Sequence, residues 1–146
     1  MAEGLLGAVI PSFWKDEITV SSAGIGAWDG QTATDEAVGV LAEIGVDISR
    51  HRARMLTREI VEGAALVVAM AREHDRYALS LAPGAADRVI LIGELDPSRK
   101  DPDVRDPIGR SRDVYREVRD DIERLVGLLV DHLVQRFGLS GPAGNP

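Results

Sequence analysis

Two short apolar runs constrain this 146-residue chain more than any other feature. Ala65-Leu66-Val67-Val68-Ala69-Met70 is continuously apolar between polar segments, and Arg88-Val89-Ile90-Leu91-Ile92 carries a second such run. A strand without polar alternation has both faces covered, which is the pattern of a parallel sheet held between helices. Arg72 to Leu81 reads as a helix closed by Pro83-Gly84, and a helix is the usual crossover between parallel strands. Strands and helices alternate elsewhere too. The chain is therefore predicted to be α/β, a three-layer fold with a short parallel sheet flanked by helices.

The remaining elements follow from stop and start signals. Leu5, Leu6, Val9 and Ile10 form one helical stripe that Pro11 ends, and no capping residue precedes it. Ile18 to Ser22 is β-branched at first and small and polar at its end, and is predicted as a strand; Gly24 to Gly30 is a loop. Thr34 is placed to cap a helix running to Ile44, with Asp35 and Glu36 in its first turn and Gly45 just beyond. Val46 to Ser49 reads as a short strand or an extended loop, and Thr57 caps a brief helix to Glu62. Asp96 to Gly109 is loop with three Asp-Pro pairs. From Ser111 to about Phe137, Val114, Val118, Ile122, Leu125, Leu129 and Leu133 mark one face of a long helix. One domain over 1–137 and a flexible tail over 138–146 are expected.

A formal charge of −7 argues against nucleic acid and anionic membranes as partners. The first residues, Met1-Ala2-Glu3-Gly4, do not open a signal peptide, and no apolar run reaches the length of a membrane span, so a cytoplasmic location is expected. The chain has no cysteine, which removes disulfides and any thiol nucleophile from its 146 residues. His51, His74 and His132 lack metal-ligand spacing. Asp101, Asp103 and Asp106 stand among prolines and basic residues, where a solvated acidic loop is a better reading than a magnesium site. Gly24, Gly26 and Gly30 are spaced one residue too long for a dinucleotide fingerprint. The cluster Arg50-His51-Arg52-Ala53-Arg54, with Arg58 behind it, reads as a solvated loop rather than an anion site. Asp106-Pro107-Ile108-Gly109 has the residues of a β-turn delivering the chain to a helix capped by Ser111.

Taken together, several segments resemble the low-molecular-weight protein-tyrosine phosphatase family, in particular its bacterial branch that includes protein arginine phosphatases. Met1 to Leu6 resembles the start of that family's first helix, which follows the loop C-x(5)-R-S-P. Ser22-Ala23-Gly24 resembles its S-A-G, and Asp47-Ile48-Ser49-x-His51-Arg52-Ala53-Arg54 its D-I-S-x-H-x-A-R. Ala65 to Met70 is similar to the strand A-D-L-V-L-A-M, and Asp103 to Gly109 to the general-acid loop. The resemblance implies a phosphorylated protein as substrate, phosphotyrosine or phosphoarginine, with no metal or other cofactor. It implies Asp106 as general acid, Ser22 as a brace for the phosphate loop, and Trp28 and Ile108 beside the substrate pocket. A loop thiolate would attack phosphorus, with backbone N–H groups and an arginine holding the phosphate. The family's first strand, its cysteine and its phosphate arginine have no counterpart in this sequence. Two expectations follow: the sequence starts inside a longer phosphatase, or Met1 is the true start of a noncatalytic binding protein. An arsenate reductase would need further cysteines and is set aside.

Overall fold

The computed structural model describes residues 1–139. Strands β1 (Val67–Ala69) and β2 (Val89–Leu91) lie within the two apolar runs and pair in parallel, Val67 opposite Val89 and Val68 opposite Ile90. Successive side chains point to opposite faces, so this register sends Val67 and Val89 one way and Val68 and Ile90 the other. Both faces are covered. Val68 and Ile90 pack on the main core, built from α1 (Ala2–Val9), α2 (Asp35–Ala42) and α5 (Arg112–Phe137) through Leu5, Val40, Leu41 and Leu125. Val67 and Val89 pack on a smaller cluster: Val61 of α3 (Arg58–Gly63), Ala78 of α4 (Arg72–Leu81), and Ala82 and Ala85 just beyond. The expected three-layer α/β arrangement is the observed one.

Helix α5 begins and ends as its sequence dictates. The Ser111 hydroxyl accepts the Val114 N–H at 3.5 Å, and Gly138 closes the helix with φ of 63°. Val118, Ile122, Leu125, Leu129 and Leu133 are buried against α1 and α2, and Tyr115 joins them. Leu139, just beyond the helix, also packs on this core. Residues 140–146 of the expected tail lie outside the described residues.

Helix α2 and residues 18–22 depart from expectation, and residues 46–49 settle between two readings. Helix α2 stops at Ala42 rather than Ile44, because the Ile44 and Gly45 amides bond back to Leu41 and Ala42 and tighten the last turn. Val46 to Ser49 takes the loop form of its two readings. Residues 18–22 show the exposure pattern of a pleat, with Ile18, Val20 and Ser22 half-buried and Thr19 and Ser21 exposed, yet they form no strand. A ladder needs a neighbour, and among the described residues the sheet contains only β1 and β2. Just beyond this segment, Gly24 makes an isolated parallel bridge to Met55.

Charge ties the loops to α5. Glu43, at the end of α2, receives Arg116 at 2.8 Å, Arg119 at 3.1 Å and Arg112 at 3.3 Å, while Arg119 also donates to the Val40 carbonyl. Its carboxyl is drawn from the usual 4.5 to about 2, chiefly by the Arg116 hydrogen bond. Asp96, buried at the start of the long loop, falls from 3.8 to about 2 through the Ser98 hydroxyl and amide, with Arg124 adding to the effect. That loop runs so close to Gly93 that an added Cβ would lie 1.9 Å from the Pro102 carbonyl oxygen.

Two predictions follow from this packing. Gly93→Ala should lower stability by about 1–3 kcal/mol or more, because backbone must move. Gly127→Ala, in α5 with open space around it, should raise stability by about 0.5–1 kcal/mol; urea unfolding of both variants measures the contrast. Both carboxylates are more acidic folded than unfolded, so their contribution is whole above about 4.5 and is lost as pH falls toward about 2. Unfolding curves across that window should show the loss, and Glu43→Gln should flatten it.

Candidate active site

Two loops are stitched together beside the N-terminus of α1. The Gly24 amide donates to the Arg54 carbonyl at 3.0 Å, and the Leu56 amide returns to Gly24 at 2.9 Å. Farther along, the Gly30 amide bonds Ala53, the Ala53 amide bonds Gln31, and the Met55 amide bonds Asp29 Oδ1 at 2.7 Å. The Arg54 guanidinium then fastens the preceding segment, donating from Nε to the Ser22 carbonyl at 2.9 Å and from Nη2 to Ser21 Oγ at 2.7 Å. Segments far apart in sequence, 21–31 and 53–56, thus become one surface.

Ser22 points from that surface toward α1. Its hydroxyl donates to Glu3 Oε2 at 2.5 Å, and His51 Nδ1 lies 3.6 Å from the same oxygen. His51 forms a shared wall between two open clefts. One, of about 340 Å³, is lined by Met1, Glu3, Asp47, Arg50 and His51; the other, of about 230 Å³, by Ser22, Gly24, Ala27, His51 and Arg54. Burial lowers the pKa of the Met1 ammonium, with Glu3 acting in the opposite sense. The Asp47 carboxyl is held below its usual value, first by the Ser49 amide, which donates to Oδ1 at 2.8 Å.

Asp106 stands on a separate, well-anchored turn. Upstream, the Val104 amide donates to the Met70 carbonyl at 2.8 Å, and Arg72 grips Asp103 through both its backbone amide and its guanidinium. Pro107 is buried and Gly109 adopts φ of 72°, a conformation that favours glycine. Within this frame Asp106 is exposed, and its Oδ1 accepts the Ile108 amide at 3.0 Å. The side chains of Ile108 and Trp28 project into solvent, 67% and 79% exposed.

The comparisons with known proteins bear on these residues. The low molecular weight phosphotyrosine protein phosphatase family matches the chain over residues 1–137. The chain belongs to that family. It is 33% identical to a probable low molecular weight protein-tyrosine-phosphatase, EpsP, of Ralstonia nicotianae, over 91% of this chain and 86% of that protein. It is 34% identical to a protein-arginine-phosphatase of Geobacillus stearothermophilus, over 80% of this chain and 77% of that protein. The crystal structure of a low molecular weight protein tyrosine phosphatase from T. tengcongensis superposes with a TM-score of 0.76 at 38% identity, covering 90% of this chain and 88% of that one.

The phosphatase-like fold brings only some of the four sequence-predicted residues together. Ser22 lines the smaller cleft, and Trp28 sits on the loop joined to 53–56. Among the described residues no hydrogen bond links Asp106 to Ser22 or Trp28, and Asp106 lines neither cleft. The acidic loop resolves differently from a metal site: Asp101 and Asp103 both hold Arg72. Glu3 was not singled out from the sequence, and His51 and Arg54 were read as part of a solvated loop. Their signal lay inside the family motifs, but their own chemistry resembles that of any solvated charge until the fold places Ser22 among them. Among the described residues, no helix is long and apolar enough to cross a membrane.

Arg54→Ala should release the 21–24 segment at a cost of about 1 kcal/mol. Amide exchange should speed up at Gly24 and Leu56 while the β1–β2 amides stay protected.

Proposed function

We propose that this chain provides the scaffold, general acid and pocket walls of a cytoplasmic protein phosphatase acting on phosphotyrosine or phosphoarginine. The observation carrying this reading is Asp106: an exposed carboxylate on a turn anchored at both ends, within a fold shared with tyrosine and arginine phosphatases. In the proposed reaction a thiolate attacks phosphorus, the bond to the leaving group breaks, and Asp106 gives that group its proton. The Asp106 carboxylate then takes a proton from water as the water oxygen attacks phosphorus. The P–S bond breaks, releasing phosphate and the thiolate. Ser22 braces the phosphate loop, and Trp28 and Ile108 flank the substrate; an aliphatic Ile108 favours the arginine-phosphatase branch.

The 146 residues contain no thiol. The chain alone should therefore give no turnover of p-nitrophenyl phosphate. A strand and C-x(5)-R-S-P loop fused before Met1 should restore turnover, and Asp106→Asn in that fusion should lower kcat by about 10²–10⁴-fold. Steady-state kinetics on the three proteins is the test. Activity in the unfused chain, or full activity in the Asp106→Asn fusion, would overturn the reading.

A further inference from the structure

The loop that delivers the chain to Asp106 supplies helix α4 with a cap that the helix lacks. Ala71 stands at the N-cap of α4 and offers no side-chain acceptor. Asp103 takes that place from the loop. Its Oδ1 accepts the Arg72 amide at 2.8 Å, and its Oδ2 accepts Arg72 Nε at 3.2 Å and Nη2 at 3.1 Å. Nη2 also reaches Asp101 Oδ1 at 3.0 Å, which in turn receives the Asp103 amide at 3.2 Å. From the other side Arg99, tied to Asp121 of α5, donates to the Asp101 and Asp103 carbonyls at 2.9 and 3.0 Å. The Asp103 carboxyl is held below its usual pKa, first by the Arg72 amide. Exposed ion pairs add little to stability, whereas a two-pronged guanidinium contact joined by a backbone amide fixes direction.

That direction matters because of where the loop lies. Val104, next in the chain, donates its amide to the Met70 carbonyl just past β1, and the Pro102 carbonyl packs on Gly93 just past β2. In open parallel sheets, ligands bind outside the carboxyl ends of the strands, and this loop crosses both ends. Asp106 is the third residue beyond Asp103. We propose that Asp103 is a positioning residue for Asp106, holding the turn that carries it at the carboxyl ends of β1 and β2 through Arg72. The inference rests on the phosphatase reading for the role of Asp106 and adds what sets its place. A general acid works only within hydrogen-bond reach of the atom it protonates. A displacement of about 1 Å, caused by a change far from the chemistry, costs about 10²-fold in rate.

The test has two arms. In the 146-residue chain, NMR relaxation reads the order of the amides from Val104 to Ile108. Asp103→Ala should lower their order parameters from about 0.85 to below about 0.6, with the β1 and β2 amides unmoved. Asp103→Asn keeps an acceptor for the Arg72 amide and Arg72→Gln keeps that amide, so both should fall between. In the phosphate-loop fusion, kcat/KM reports the step in which the leaving group departs. Asp103→Ala should lower it about 10–10²-fold for phenyl phosphate, whose leaving group needs a proton, and less for p-nitrophenyl phosphate. Added to Asp106→Asn, the same substitution should cost nothing further. Unchanged order from Val104 to Ile108 in all three variants, or an equal loss of kcat/KM with and without the Asp106 carboxyl, would overturn the inference. An inactive fusion, or full activity of Asp106→Asn alone, counts against the phosphatase reading instead, and the relaxation arm still decides whether Asp103 holds the turn.

Discussion

The burial of one face of α5 is the interaction on which the rest of this structure depends. Its stripe from Val118 to Leu133 is covered by α1 and α2 on one side of a sheet that has two strands among the described residues. Such a sheet is marginal by itself, so the long helix provides the surface on which the short elements settle. Both groups of proposed site residues hang from its N-terminal half. The turn carrying Asp106 runs directly into the Ser111 cap. The loop carrying Trp28 runs into the Thr34 cap of α2, whose hydroxyl meets the buried Tyr115 hydroxyl at 3.2 Å. Glu43 fixes the other end of α2 to the same helix through three arginines. Relative placement of the two loops is therefore a property of the α2–α5 contact, not of either loop.

Against this well-satisfied side, residues 18–23 form the opposite case. They have the pleat of a strand without its ladder, and among the described residues β1 is laddered along one edge alone. Unpaired backbone groups are tolerable where water reaches them and costly where it does not. The half-buried Met1, with its ammonium pKa lowered by desolvation, lies in this same region of the molecule. The polar interactions that organise the clefts, Arg54 to Ser21 and Ser22 and Ser22 to Glu3, hold this segment through side chains.

What was legible in the sequence follows the range of the forces involved. The apolar runs, the α5 stripe and the caps at Thr34, Thr57 and Ser111 report local periodicity and local hydrogen bonds, and all appear where expected. The strand at 18–22 did not form because a ladder depends on a neighbour, which no local propensity encodes. At the candidate site, Asp106 and Ser22 were named through motifs. The cluster Glu3, Ser22, His51 was not, since its members meet only after the 50–56 loop folds onto 22–32. The arginine-rich loop shows the same limit at finer scale: Arg50, Arg52 and Arg54 are indistinguishable in sequence, and only hydrogen bonding separates the two that hold the loop from Arg50, which makes no hydrogen bond among the described residues.

That separation also bears on how charge is distributed over so acidic a protein. Phosphoprotein substrates are anionic, and a uniform negative surface would slow their approach. Arginines scattered over α5 do little to offset this, because Arg112, Arg116, Arg119 and Arg124 are committed to Glu43, Asp120, Asp121 and Asp96. Cations that bond neutral acceptors keep their charge available while staying fixed in place. Using backbone carbonyls and serine oxygens to hold Arg52 and Arg54, rather than carboxylates, leaves the 50–54 loop less neutralised than the helical surface and presents that difference beside the clefts. The choice of acceptor, more than the number of arginines, sets where positive charge stays available beside the clefts.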